Sequence, residues 1–128
     1  MIAVAEQWRP VPGWGGAYEV SDMGRVRSVP RQVAGRIGRD GTNSIRTVQG
    51  RILSPRVRKD GTLAVNLWAG NKYRQWPIKR LVLEAFTCRQ PMGYDARNID
   101  EDPANNMLSN LEWAPVGGLA LLRQTLRR

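Results

Sequence analysis

At 128 residues the chain is long enough for one compact domain and hardly enough for two, and an apolar content of 41% suits a packed core rather than wholesale disorder. The absence of histidine excludes imidazole bases and histidine metal sites, and a lone Cys88 excludes an intramolecular disulfide partner and a cysteine-cluster zinc site. Twenty basic residues, seventeen of them Arg, stand against eleven acidic ones for a formal charge of +9, which points to a polyanionic partner because guanidinium suits bidentate contact with phosphate and guanine.

Residues 8–14 hold Pro10, Pro12 and Gly13 and suit turns and extended chain rather than helix. Tyr18-Glu19-Val20 and Arg25-Val26-Arg27-Ser28-Val29, joined through the turn Ser21-Asp22-Met23-Gly24, read as a hairpin. Alternation puts Val26 on one face and Arg25 and Arg27 together on the other. Residues 31–50, rich in Gly and Arg with little apolar periodicity, read as a long flexible basic loop. A run over 51–59 ends at Asp60-Gly61, a strong hairpin signal, and residues 62–68 follow as a strand with Leu63, Val65 and Leu67 inward. After a second turn, residues 73–78 form a third strand, placed at an edge by Pro77. Leu81, Val82, Ala85 and Phe86 have helical spacing, so a short helix over 79–86 packs on the sheet. Residues 91–113 are turn-like, and a closing helix is expected over 117–126, with Leu119, Leu122 and Leu126 on one stripe. The expected fold is therefore α+β: small antiparallel hairpins with two or three short helices.

The charge is uneven along the chain. Residues 23–94 carry fifteen bases and three acids, whereas 95–112 carry five acids and one base. A basic middle therefore adjoins an acidic patch. Of the five tryptophans, Trp8 and Trp113 are assigned to packing; Trp14, Trp68 and Trp76 are less constrained, with core placement the favoured reading and exposure the alternative for Trp68, beside a turn. No apolar run approaches a membrane span and residues 1–4 are too few for a signal peptide, so a cytoplasmic protein without membrane contact is expected.

Trp8-Arg9-Pro10-Val11-Pro12-Gly13, with Tyr18-Glu19-Val20-Ser21-Asp22-Met23-Gly24-Arg25-Val26-Arg27-Ser28, closely resembles the NUMOD4 motif found at the front of many phage and intron-borne HNH homing endonucleases. Gly50-Arg51-Ile52-Leu53 through Ala85-Phe86 is similar to the segment leading into their nuclease module. Asn98-Ile99-Asp100, Asn105-Asn106 and Asn110-Leu111-Glu112-Trp113 resemble the ββα-metal HNH module itself. The resemblance implies a NUMOD4-like motif over 1–30, the flexible loop over 31–50 and an HNH-like module over 51–128, as one compact unit.

The resemblance also locates departures. The family's general-base His falls at Asn98, a metal-holding neighbour at Arg97, a second metal-ligand Asn at Leu119, and the His before Arg-Leu-Val at Lys79. An amide has no usable basicity near neutral pH, and a fixed cation at 97 opposes a metal. The expectation is a degenerate module with no intact catalytic residue and no metal or other cofactor, in which Asn98, Asp100, Asn106 and Asn110 persist as scaffold. Double-stranded DNA is the expected partner, held by Arg25, Arg27, Arg56, Arg58, Lys59, Lys79, Arg80, Arg97 and Arg123, with Arg97 as a direct phosphate clamp. Two alternatives stand beside it. One is a weak nicking endonuclease with a rebuilt Mg²⁺ site. The other is a phage-encoded protein that binds a host polymerase or defence complex through Arg and Trp.

Overall fold

The structure is a computed structural model that describes residues 5–117. The expected closing helix, with Leu119 and Arg123, lies outside the described residues. The elements are β1 (Trp8–Pro10), β2 (Tyr18–Ser21), β3 (Val26–Ser28), β4 (Arg31–Ile37), β5 (Asn43–Val48), β6 (Arg56–Val57), β7 (Leu63–Ala69), β8 (Lys72–Pro77), α1 (Ile78–Phe86), β9 (Tyr94–Asn98), a 3-10 turn (Leu108–Asn110) and β10 (Leu111–Pro115). They form four small antiparallel sheets, ordered β1-β2-β3, β4-β5, β6-β7-β8 and β9-β10.

The core follows from alternation on the strands and periodicity on the helix. Val20 and Val26, opposite one another on β2 and β3, point inward. On β7, Val65 and Leu67 are buried and Leu63 is packed against the core, as the alternation predicts. Helix α1 buries Ile78, Leu81, Val82 and Leu83 against β1-β2-β3 (the front sheet), β7, β8, β9 and β10. It begins after Pro77, which ends β8 at the sheet's edge, as expected for a residue without an N–H to give a ladder. Its last turn is closed by Thr87, whose backbone N–H donates to the Leu83 carbonyl at 2.9 Å. The Tyr18 hydroxyl ties the front sheet to β7 by accepting the Trp68 N–H at 2.9 Å.

Three expectations need correction. Residues 31–50 are not a loop: β4 and β5 pair as a hairpin, with a bulge between Ala34 and Ile37. Cross-strand backbone bonds stand in for the missing apolar periodicity. The run over 51–59 yields only the Arg27–Ile52 bridge and the two residues of β6, because Pro55 interrupts the ladder. The turn-like stretch 91–113 contains β9 and most of β10, whose register pairs Asn98 with Leu111 and Arg97 with Glu112. Among the described residues there is one α-helix, and none is long and apolar enough to cross a membrane.

Candidate nucleic-acid interface and the HNH-like loop

Strands β9 and β10 hold between them the loop 99–107, which is organised around Asp100. One Asp100 carboxylate oxygen accepts the Asn110 amide N–H at 2.9 Å and the Asp102 backbone N–H at 2.9 Å; the other accepts from the Asn105 amide at 2.9 Å. The Asp100 backbone N–H returns a bond to the Asn110 side-chain oxygen at 3.1 Å. These donors, that of Asn105 first, hold the Asp100 carboxyl below its ordinary range. Glu101 turns the chain with φ +64°.

Asn98 is buried at the end of β9. Its amide nitrogen donates to the Asn105 carbonyl at 2.8 Å and to the Asn106 side-chain oxygen at 2.9 Å, and Asn106 in turn donates to the Pro103 carbonyl at 3.3 Å. Asn98, Asp100, Asn106 and Asn110, singled out from the sequence, are thus brought together in one hydrogen-bonded loop. The loop is clasped by two turns from elsewhere. At Gly24, φ +84°, a Cβ would sit 2.8 Å from the Asn106 carbonyl oxygen, and the Leu108 N–H donates to the Asp22 carbonyl at 2.8 Å. On another side a Cβ at Gly61 would lie 3.3 Å from Pro103.

That second turn carries charge. Arg56, Arg58 and Lys59 flank Asp60-Gly61, and Lys79 acts electrostatically on Asp60, whose carboxylate is occupied by the Thr62 N–H at 2.9 Å. Arg56, Lys59 and Lys79 make no ion pair among the described residues, and Arg58 donates to the Gln75 side chain at 2.8 Å. A cationic turn therefore abuts the HNH-like loop.

The other candidate cations are engaged. Arg25 pairs with Glu6. Arg27 pairs with Glu19 at 2.7 Å and stacks 3.9 Å over Trp8. Arg80 pairs with Glu84 and lies 4.6 Å over Trp76, beside a cleft of about 280 Å³ also lined by Trp14 and Val11. Arg97 pairs with Glu112 at 2.6 Å, directly across the β9-β10 ladder. Each of these pairs is at least partly solvated, so it is weak in net terms and a phosphate can compete for the guanidinium. Sequence reasoning did not foresee these pairs. Trp68 is exposed rather than placed in the core, the favoured expectation, and its ring lies 4.8 Å from that of Tyr73.

A family model described as the NUMOD4 motif matches residues 6–68. The DNA endonuclease I-HmuI of Bacillus phage SP01 is 26% identical over 107 residues, which is 84% of this chain and 51% of that protein. A solved structure of DNA binding and cleavage by the HNH homing endonuclease I-HmuI matches with a TM-score of 0.66 at 25% identity. It covers 94% of this chain and 59% of that one. This chain carries a NUMOD4 motif and is similar in sequence and fold to an HNH homing endonuclease. It spans about half the length of the curated relative it matches.

The fold family implies a divalent metal beside the general base. At the positions the resemblance assigns to that centre, Arg97 offers only donors, and the Asn98 nitrogen is turned to two oxygen acceptors. No group of three or more His, Cys, Asp or Glu side chains able to hold a metal occurs among the described residues. The donor set does not fit a metal at that position.

Proposed function

We propose that this NUMOD4-containing, HNH-like chain binds double-stranded DNA through its arginine-rich surface and does not cleave it. What supports the reading is one combination: the architecture of a DNA-binding homing endonuclease over 94% of the chain, with a buried amide where the family's base stands. Phosphate affinity lives in cations rather than in the base or metal, so losing the cleavage chemistry leaves binding intact. The cationic turn over 56–61 lies against the HNH-like loop, where relatives would present the scissile phosphate. Arg97 adds a fixed charge there, as a phosphate clamp that exchanges Glu112 for the backbone.

The test is fluorescence anisotropy of a random-sequence duplex at several salt concentrations, run alongside plasmid nicking in Mg²⁺ and Mn²⁺. Binding that weakens steeply and linearly in log salt, with no nicking, is the expected result. Salt-insensitive or absent binding overturns the DNA assignment and moves the search to protein partners. Nicking that survives repurification and vanishes in an Asp100→Ala, Asn106→Ala double variant overturns the claim of inactivity.

A further inference from the structure

The β4-β5 hairpin has no role in the reading above, and its register gives it one. Its base is pinned to the body. Ser28 donates its N–H to the Arg51 carbonyl at 2.9 Å, Leu53 donates to the Val26 carbonyl at 2.8 Å, and Arg27 bridges Ile52. From Arg27–Ile52 to Arg31–Val48 each strand advances four residues, so one antiparallel register runs outward from the core at Val26 to Ala34–Ile45. A Cβ at Gly50 would lie 2.2 Å from the Ser28 carbonyl oxygen, which keeps the two strands at close approach there. Beyond that point β4 and β5 hydrogen-bond to no other strand among the described residues.

Residues opposite one another share a face of a ribbon. One face therefore carries Arg31, Val33, Arg46 and Val48, and its two valines are half-buried. The other carries Gln32, Ala34, Asn43, Ile45 and Thr47, with Ile37 opposite Asn43, and every one of these is exposed. This second face holds no charge. It offers amides, a hydroxyl and methyl groups, the set that reads adenine edges and thymine methyls in a major groove. Charge is confined to the back face and the tip: Arg31, Arg46, Arg36 in the bulge and Arg39 in the turn. The hairpin's one acid, Asp40, accepts the Thr42 N–H at 3.1 Å and its hydroxyl at 2.6 Å, so the turn itself occupies that carboxylate. A two-stranded ribbon fits the roughly 12 Å width of the groove.

Resting on the DNA-binding reading, we infer that the β4-β5 hairpin enters the major groove of duplex DNA with Gln32, Asn43, Ile45 and Thr47 toward the base edges and its arginines on the flanking phosphates. Asn43 to Thr47 spans about 13 Å of strand, which at about 3.4 Å per base pair is about four contiguous positions.

The experiment is selection from a randomised duplex library with the full chain and with a Gln32→Ala, Asn43→Ala, Thr47→Ala variant. Salt titrations and sedimentation of both proteins accompany it. The expected result is that the wild type selects a site in which about four neighbouring positions lose their preference in the variant. Any other preferred positions stay, and the salt slope is unchanged. At such a position the wrong base pair costs the wild type about 5- to 150-fold in affinity. An Arg36→Ala, Arg39→Ala variant keeps the selected site and lowers the salt slope. Duplex binding with no base preference, or with a site identical in the face variant, overturns the inference and leaves the DNA-binding reading standing. A wild-type dimer that becomes a monomer in the face variant also overturns it, because a second copy then covers this face. Failure of the wild type to bind duplex at all removes the reading and the inference together.

Discussion

Replacing Gly24 by alanine tests whether the front motif and the HNH-like loop are one cooperative body. Two costs are separable in the structure. Gly24 has φ +84°, a conformation that costs an L-residue about 1–2 kcal/mol, and its new Cβ meets the Asn106 carbonyl at 2.8 Å, an overpacking of about 1–3 kcal/mol. Gly13 has nearly the same backbone, φ +83°, with nothing within 4 Å of an added Cβ, so Gly13→Ala carries the conformational cost alone. In urea unfolding Gly13→Ala is expected to lose about 1–2 kcal/mol and Gly24→Ala about 2–5 kcal/mol, the difference being the contact between the turn and the loop. The obstacle is backbone and cannot swing away as a long side chain would. A Gly24→Ala loss within about 0.5 kcal/mol of the Gly13→Ala loss would refute the docking of the two segments.

Four further outcomes are expected. Glu112→Gln frees Arg97, so duplex affinity at low salt rises severalfold, whereas Arg97→Ala lowers both affinity and the salt slope by about one phosphate contact; anisotropy reads both. Tyr18→Phe strands the Trp68 N–H and is expected to cost about 1–3 kcal/mol in denaturant unfolding. The Asp100 carboxyl is held below its ordinary value when folded. Its contribution to stability is therefore full above that value, 3.8, and is lost as pH falls through the lower folded value, so acid unfolding monitored by circular dichroism should flatten on this limb in Asp100→Asn. Asn98→His removes an amide that serves two acceptors and is expected to lower stability by about 1–3 kcal/mol without producing nicking, since Arg97 still occupies the adjoining position.

Local signals carried much of the fold. The turn at Asp22–Gly24, the Asp60-Gly61 hairpin and the apolar spacing of α1 are each set by neighbours in sequence, and each forms where the residues predict. The β4-β5 hairpin was illegible because its strands bury almost nothing. Its pairing rests on backbone bonds to a partner strand, and Gly35, Gly38 and Gly41 mimic the composition of a loop. Strands β9 and β10 were hidden similarly, since five-residue strands that embrace an Asp- and Asn-rich loop present little alternation of their own. At the site, the grouping of Asn98, Asp100, Asn106 and Asn110 came through family resemblance. The acidic partners of Arg25, Arg27 and Arg97 are eight to nineteen residues away and depend on sheet register, which local reading does not fix.

Those ion pairs bear on how a chain of this charge stays folded before it meets a polyanion. Fifteen bases in residues 23–94 repel one another, and a carboxylate on a neighbouring strand relieves that repulsion without neutralising the surface. Because the pairs are partly solvated, each guanidinium is held in place at little net energy and released at little cost. On the proposed DNA-binding reading, Glu6, Glu19 and Glu112 would stand in for phosphate oxygens at Arg25, Arg27 and Arg97 until the DNA backbone arrives. Arg56, Lys59 and Lys79 around the turn at 56–61 have no ion-pair partner among the described residues, and on the proposed reading their charge would attract DNA from a distance. On that reading, attraction and docking would be divided between these two sets of residues. Rising salt would weaken the first set most, because its charge has no partner at close range.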